Sequence, residues 1–331
     1  MSTLLLTRTE IQRLLNPSAL VAPLRAGFVT YSSSDAERAL RVRAPIPGQQ
    51  GTATVLFPGT LPGLQVYTVK VHAKFPQHDP AIRGVICLHN ATTGALLAIM
   101  DSSYITAIRT GIAGALAADA LARADASTVA VIGCGVQGSY QLRALAGLRR
   151  LRHVVAYDTR AERAAAFAAD LGKELSVAID PVDHLAHALT TADIVLAATW
   201  STAPFILPGM LRSGAHVTTL GADEPGKAEV SADLIRSSLF VCDDRYLAAD
   251  MGALHNVGLG ADMIGAELGE VLAGTHPGRR SDEEVTIYGG VGLAFQDAVA
   301  AWHVYEQART SSAFRPRTID FNETGLSHPH Q

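Results

Sequence analysis

The sequence predicts an α/β protein, a doubly wound parallel sheet joined to a second, α+β domain. Three observations carry this. Beyond residue 127, short apolar β-prone runs alternate with helical segments, the pattern of a parallel sheet covered by helices on both faces. The first of these runs leads directly into a glycine-rich turn and a helix. Between residues 41 and 100, by contrast, β-prone runs are separated by Pro and Gly clusters with no helical stretch between them, which reads as a small, mostly antiparallel sheet. The chain has 331 residues, and at roughly 150 residues per domain that is room for about two.

The apolar spacing over residues 4–33 (Ile11, Leu14, Leu15, Leu20, Val21, Leu24, Phe28) predicts amphipathic helices interrupted at Asn16-Pro17. Strands are expected at 53–57, 65–70 and 85–88, closed by a turn at Thr92-Thr93-Gly94. A helix over 106–123 carries Gly111 and Gly114 among alanines, so another element can approach it closely. Six parallel strands are expected at 128–132, 154–157, 176–179, 194–198, 216–220 and 239–242. A last helix, 292–309, lies outside that set and is expected to pack back on the N-terminal domain. Residues 311–331 are polar and read as a loosely held tail.

Composition excludes several classes. The chain is 48% hydrophobic and 18% charged, against about 25% charged in an average globular domain, so a well-packed core is expected rather than disorder. Lys+Arg number 27 against 31 Asp+Glu, a net charge of −4 with no basic stripe, which argues against nucleic acid as a partner. Cys87, Cys134 and Cys242 are odd in number and far apart, giving neither a disulfide framework nor a CxxC pair, and fit a reducing cytoplasm. The three-leucine run near the N-terminus is cut short by Arg8 and Glu10, unlike a signal peptide. No stretch reaches the ~18 uninterrupted apolar residues of a membrane span. His184 and His187 lack acidic or cysteine company at ligand spacing, and His78-Asp79, His328 and His330 read as loop residues, so no metal site is expected.

Gly133-Cys134-Gly135-Val136-Gln137-Gly138 is a full GxGxxG that follows the run 128–132, precedes a helix, and has Asp158 about 20 residues further on at the end of the next strand. The glycines allow a tight turn and close approach to a pyrophosphate, the helix N-terminus supplies partial positive charge, and the carboxylate accepts from ribose hydroxyls. A carboxylate repels a 2′-phosphate, so NAD(H) is favoured, while Arg160 leaves room for NADP(H). Thr199, after the fourth expected strand, belongs to the carboxyl edge where ligands bind. Cys134 has no neighbouring base that would make it a nucleophile.

Six ordered blocks carry a wider resemblance: Arg41 ahead of Phe57-Pro58-Gly59; Thr68-Val69-Lys70-Val71; Ile105-Thr106-Ala107-Ile108-Arg109-Thr110; the glycine turn; Gly221-Ala222-Asp223-Glu224-Pro225-Gly226-Lys227; and Val291-Gly292-Leu293-Ala294-Phe295-Gln296-Asp297. Over most of its length the chain resembles the ornithine cyclodeaminase/mu-crystallin family, and within it the ketimine reductase branch. The resemblance implies a Rossmann-type domain over 121–290, a substrate-binding and dimerisation domain built from 1–120 plus 291–331, and a homodimer. It further implies that Arg41, Lys70 and Arg109 hold a substrate carboxylate, with Val291 also on the substrate. Asp223 and Lys70 would be catalytic. Thr110, Lys227 and Gly290 would join Thr199, Gly133, Gly135, Val136, Gln137, Gly138 and Asp158 around the cofactor. Arg43, at period two from Arg41, is an equal candidate for its role.

One departure from the family pattern bears on substrate. Where ornithine-type members carry an acidic residue for the distal amine, this chain has Val55, and an ammonium without a counter-charge in an apolar site is costly. The expected reaction is therefore NAD(P)H-dependent reduction of a cyclic imino acid, Δ1-pyrroline-2-carboxylate or Δ1-piperideine-2-carboxylate, to L-proline or L-pipecolate. The alternatives, in order, are an ornithine- or lysine-type cyclodeaminase recycling bound NAD, an alanine dehydrogenase, and a non-catalytic small-molecule binding protein.

Overall fold

The structure, a computed structural model, describes residues 2–34, 41–48, 52–75, 78 and 80–321. The chain divides into two compact units, one formed by residues 1–16, 36–106 and 294–331, the other by 17–35 and 107–293. Its cuts thus fall at 106/107 and 293/294 rather than at 120 and 290, and the helix Pro17–Ser33 belongs with the second unit. His328, His330 and Asp79 lie outside the described residues.

The first unit holds a seven-stranded sheet of β1 (Thr3–Leu6), β2 (Val42–Pro45), β3 (Ala53–Gly59), β4 (Val66–Lys74), β5 (Ile82–Asn90), β6 (Leu96–Asp101) and, near the C-terminus, β15 (Arg317–Ile319). Their order is β15-β1-β6-β5-β4-β3-β2, antiparallel except for the β1–β6 pair. The antiparallel core agrees with expectation. Residues 4–6 do not begin a helix: three consecutive leucines carry no period, and pairing with β6 and β15 makes them a strand. The helix Ala294–Thr310 packs on β3, β4 and β5, as expected of an element outside the parallel set. It is buried along most of its length, with Ala294, Ala298, Ala300, Ala301 and Ala308 admitting the strands closely.

The second unit is a parallel sheet of β7 (Thr128–Ile132), β8 (His153–Tyr157), β9 (Ile179–Pro181), β10 (Ile194–Ala197), β11 (His216–Thr219), β12 (Leu239–Cys242), β13 (Ile264–Glu267) and β14 (Thr286–Gly289). The order is β13-β12-β14-β11-β10-β7-β8-β9, every pair parallel. This is the doubly wound sheet, extended by β13 and β14 beyond the six strands expected. Alternate residues of β7 serve opposite faces: Val129 and Val131 join Leu142, Leu145, Phe167 and Leu171, whereas Ala130 and Ile132 join Ala188, Leu234 and Ile235. Burial on both faces explains why these strands are continuous apolar runs. The winding direction reverses between β7 and β10, which makes their carboxyl ends the crevice where such sheets bind ligands.

Candidate active site

In the second unit, β7 ends in Gly133, whose φ of +95° excludes other residues and whose added Cβ would stand 2.6 Å from the carbonyl oxygen of Ala198. Gly138 is likewise fixed, since a Cβ there would collide with the Gly133 carbonyl. Gly135 is different: nothing lies within 4 Å of a Cβ added to it, and it caps the helix Val136–Leu148. Open space over the first N–H groups of a long helix fits a pyrophosphate. Asp158 accepts from the backbone N–H groups of Cys134 at 2.9 Å and Arg160 at 3.0 Å, and each oxygen keeps a lone pair for a ribose hydroxyl. The donor set therefore fits a dinucleotide. Cys134 is no nucleophile, because burial and the Asp158 charge push its thiol up to about 12. Val136 is exposed beside the turn, and Gln137 leaves its buried Oε1 without a hydrogen-bond partner among the described residues.

Next along the edge, the residues following β10 and β11 are tied together by Glu229, which sequence reasoning did not single out. Its Oε1 accepts from Thr199 N–H at 2.6 Å and the Thr199 hydroxyl at 2.8 Å; its Oε2 accepts from the Thr219 hydroxyl at 2.7 Å and Gly221 N–H at 3.0 Å. Burial raises the Glu229 pKa, and the four donors oppose that shift. Asp223 stands two residues past Gly221 and accepts from Lys227 Nζ at 3.1 Å, which also lies 4.1 Å above the Trp200 ring. Asn256 fastens the intervening turn, donating to the carbonyls of Glu224 and Lys227 at 2.7 Å each.

The segment after β14 shows a second such anchor. Asp243 is fully buried and accepts from Val291 N–H at 2.9 Å and Gly292 N–H at 2.6 Å, with burial lifting its pKa to about 6. Gly292 has φ +92°, and a Cβ there would come within 2.8 Å of Arg109 Nη1, so only glycine lets this backbone meet the guanidinium. Gly290 is packed against Tyr288 and Leu220. Arg109 is buried and Thr110 half-buried on the helix Ser102–Leu121.

The first unit brings another group together. Lys70 is wholly buried on β4, its Nζ 2.6 Å from Asp297 Oδ2, 3.5 Å from the Thr106 hydroxyl and 4.6 Å from the centre of the Phe57 ring. The Arg41 guanidinium lies 4.6 Å from the same ring. Arg43, by contrast, is exposed on β2. Val55 is buried and faces His72 across the β3–β4 pair, so its surroundings are not simply apolar as the sequence suggested. Asp297 and His72 were missed; Asp297 stands inside a resemblance block, but nothing in sequence marks it as the partner of Lys70.

The model of the ornithine cyclodeaminase/mu-crystallin family matches residues 1–312. An archaeal alanine dehydrogenase dimer with bound NAD has a TM-score of 0.90 at 30% identity, covering 97% of this chain and all of that one. The Thermococcus litoralis Δ1-pyrroline-2-carboxylate reductase, in complex with NADH and L-proline, has a TM-score of 0.87 at 28% identity, over 93% of this chain and 98% of that one. The iminosuccinate reductase of Paracoccus denitrificans, in complex with NAD+, has a TM-score of 0.86 at 26% identity, over 97% and 100%. Six sequence blocks, a parallel sheet with its glycine turn and a match over nearly the whole length agree: the chain belongs to the ornithine cyclodeaminase/mu-crystallin family.

Proposed function

We propose that the chain is an NAD(H)-dependent oxidoreductase that reduces the C=N bond of an α-imino acid, with the cyclic imines Δ1-pyrroline-2-carboxylate and Δ1-piperideine-2-carboxylate as the first candidates. One observation carries this reading. Four adjacent parallel strands, β7, β10, β11 and β14, deliver the glycine turn, Thr199, Asp223 and the Gly290–Gly292 backbone against Arg109 to the same edge of one sheet. A dinucleotide cradle, an acid–base carboxylate and a buried guanidinium on one edge are what imine reduction requires.

The nicotinamide cofactor, when bound, supplies the hydride for the imine carbon. Gly135 and Val136 offer backbone N–H groups to its pyrophosphate, and Asp158 its carboxylate to a ribose. The family resemblance assigns the substrate carboxylate to Arg109, Lys70 and Arg41, guanidinium forks suiting its plane and an ammonium adding a point charge. Asp223 holds the protonated imine nitrogen, whose positive charge makes the carbon electrophilic, and Lys227 donates to that carboxylate and orients it. Assembly as a homodimer is supported by the outer face of the first unit's sheet. There Val42, Leu56, Val71 and Val85 form one cross-strand row, each between 37% and 50% exposed. Val71→Lys is expected to shift the mass in light scattering from dimer to monomer.

The test follows NADH absorbance with each cyclic imine and with pyruvate plus ammonium, and ammonia release from L-ornithine. NADH oxidation by an imine without added ammonium supports the reading. Ammonia from L-ornithine without net cofactor turnover would replace it with the cyclodeaminase. Asp223→Asn is expected to lower turnover by about 10²–10⁴-fold while NADH still binds, as read by fluorescence.

A further inference from the structure

Lys70, His72 and Lys74 alternate along β4, so their side chains share its inner face, and all three are buried. The Phe57 ring gathers this group: Arg41 and Lys70 lie over it, and the His72 ring is centred 5.3 Å from its centroid at 35°. Burial and the charges of Lys70, Lys74 and Arg41 depress the His72 pKa to about 2, and the Asp297 charge opposes them. The imidazole is therefore neutral and carries one N–H. Among the described residues neither ring nitrogen has a hydrogen-bond partner, and the side chain of the cross-strand neighbour, Val55, has no polar atom to offer. A buried donor left in this state is destabilising, and an acceptor brought by a ligand recovers the loss.

Resting on the reading that Lys70 and Arg41 hold the α-carboxylate of an imino acid, we infer that His72 receives a second carboxylate, and that the preferred substrate is a dicarboxylic α-imino acid of four or five carbons. The two sites are one strand repeat apart, about 6.8 Å along β4, within reach of a short dicarboxylate. The basic surroundings of His72 favour an anion and disfavour the distal ammonium of a diamine. A monocarboxylic cyclic imine leaves the His72 donor unmatched.

The reverse reaction gives stable probes. Each L-amino acid loses a hydride to NAD+ and a proton to solvent, leaving the imino acid and NADH. The holoenzyme is assayed with NAD+ and L-aspartate, L-glutamate, L-proline or L-alanine. One of the two dicarboxylic acids is expected to exceed L-proline and L-alanine at least tenfold in kcat/KM. His72→Leu is expected to raise the KM for that acid tenfold or more with kcat little changed, and to lower the KM for L-proline. His72→Gln, which keeps a donor, recovers part of the loss, and a thermal melt of each variant verifies folding. Preference of the wild type for L-proline or L-alanine, or an equal KM change for all substrates in His72→Leu, overturns the second-carboxylate site and leaves imino-acid reduction standing. No NADH from any of the four, and no NADH oxidation by the imines, removes both.

Discussion

In the first unit the buried charge on Lys70 is met by an opposite charge, Asp297, 2.6 Å away and equally buried. In the second unit two fully buried carboxylates are held by neutral donors: four N–H and O–H groups on Glu229, three backbone N–H groups on Asp243. A charge pair binds two side chains from distant parts of the chain, whereas a carboxylate among N–H groups fixes backbone. The first arrangement settles where an ammonium stands; the second settles the shape of the loops on which Asp223 and Gly292 ride. Each therefore fails differently when disturbed.

Asp297→Ala tests the first arrangement and carries the largest expected effect. It strands a buried ammonium, so unfolding in urea should show a loss of about 3–5 kcal/mol, and substrate KM should rise with it. Replacing both partners, Lys70→Met with Asp297→Leu, is expected to recover most of that stability though not activity, because an apolar pair leaves no orphan charge. Stability of the double variant no better than that of Asp297→Ala alone would break the idea that the pair is the source of the loss.

Glu229→Gln addresses the second arrangement with a smaller effect. An amide nitrogen replaces one carboxylate oxygen and faces donors, so about 1–3 kcal/mol should be lost. Turnover should fall roughly tenfold as the backbone at Thr199 and Gly221 loosens, with a shift of the melt by ligand retained. A full loss of folding would show that Glu229 supports the whole sheet edge and not its loops alone.

Asp243→Asn gives the smallest change at neutral pH, about 1 kcal/mol, since the amide oxygen still accepts from Val291 and Gly292 and only the Asp244 N–H, 3.1 Å from the other oxygen, loses its acceptor. Its signature is in pH dependence. The native carboxyl titrates near 6 against an ordinary value of 3.8, so the folded state holds the proton more tightly than the unfolded one. That contribution to stability is complete below the unfolded value and is lost as pH rises through about 6. Urea midpoints taken between pH 4 and 7 should therefore show this group stabilising on acidification in the wild type and not in Asp243→Asn.

Much of this was legible in the sequence. The alternation beyond residue 127 and the GxGxxG spacing specify the parallel sheet and its cradle, because both are local: β-branched runs, glycines at a sharp turn and a helix immediately after. Arg41, Lys70, Arg109 and Asp223 were singled out as candidates through the family blocks. What escaped was of two kinds. β1, β13 and β14 are four residues each, too short for any period to show, and they become strands by pairing with β6, β12 and β11. Asp243 lies 48 residues from the N–H it holds, and His72, Glu229 and Asp297 are ordinary polar residues until partners distant in the chain surround them.

The sequence by itself determined the fold class, the dinucleotide turn and the family, because backbone preference, hydrophobic period and glycine freedom act between near neighbours and leave a local trace. Only the tertiary structure decided which acids and bases share a low-dielectric interior: Lys70 with Asp297, His72 beside Arg41 and Lys74, Asp243 under the Val291–Gly292 backbone. The reason is physical. Desolvation and charge pairing depend on distance in space and on exclusion of water, and neither quantity is defined until the chain has folded.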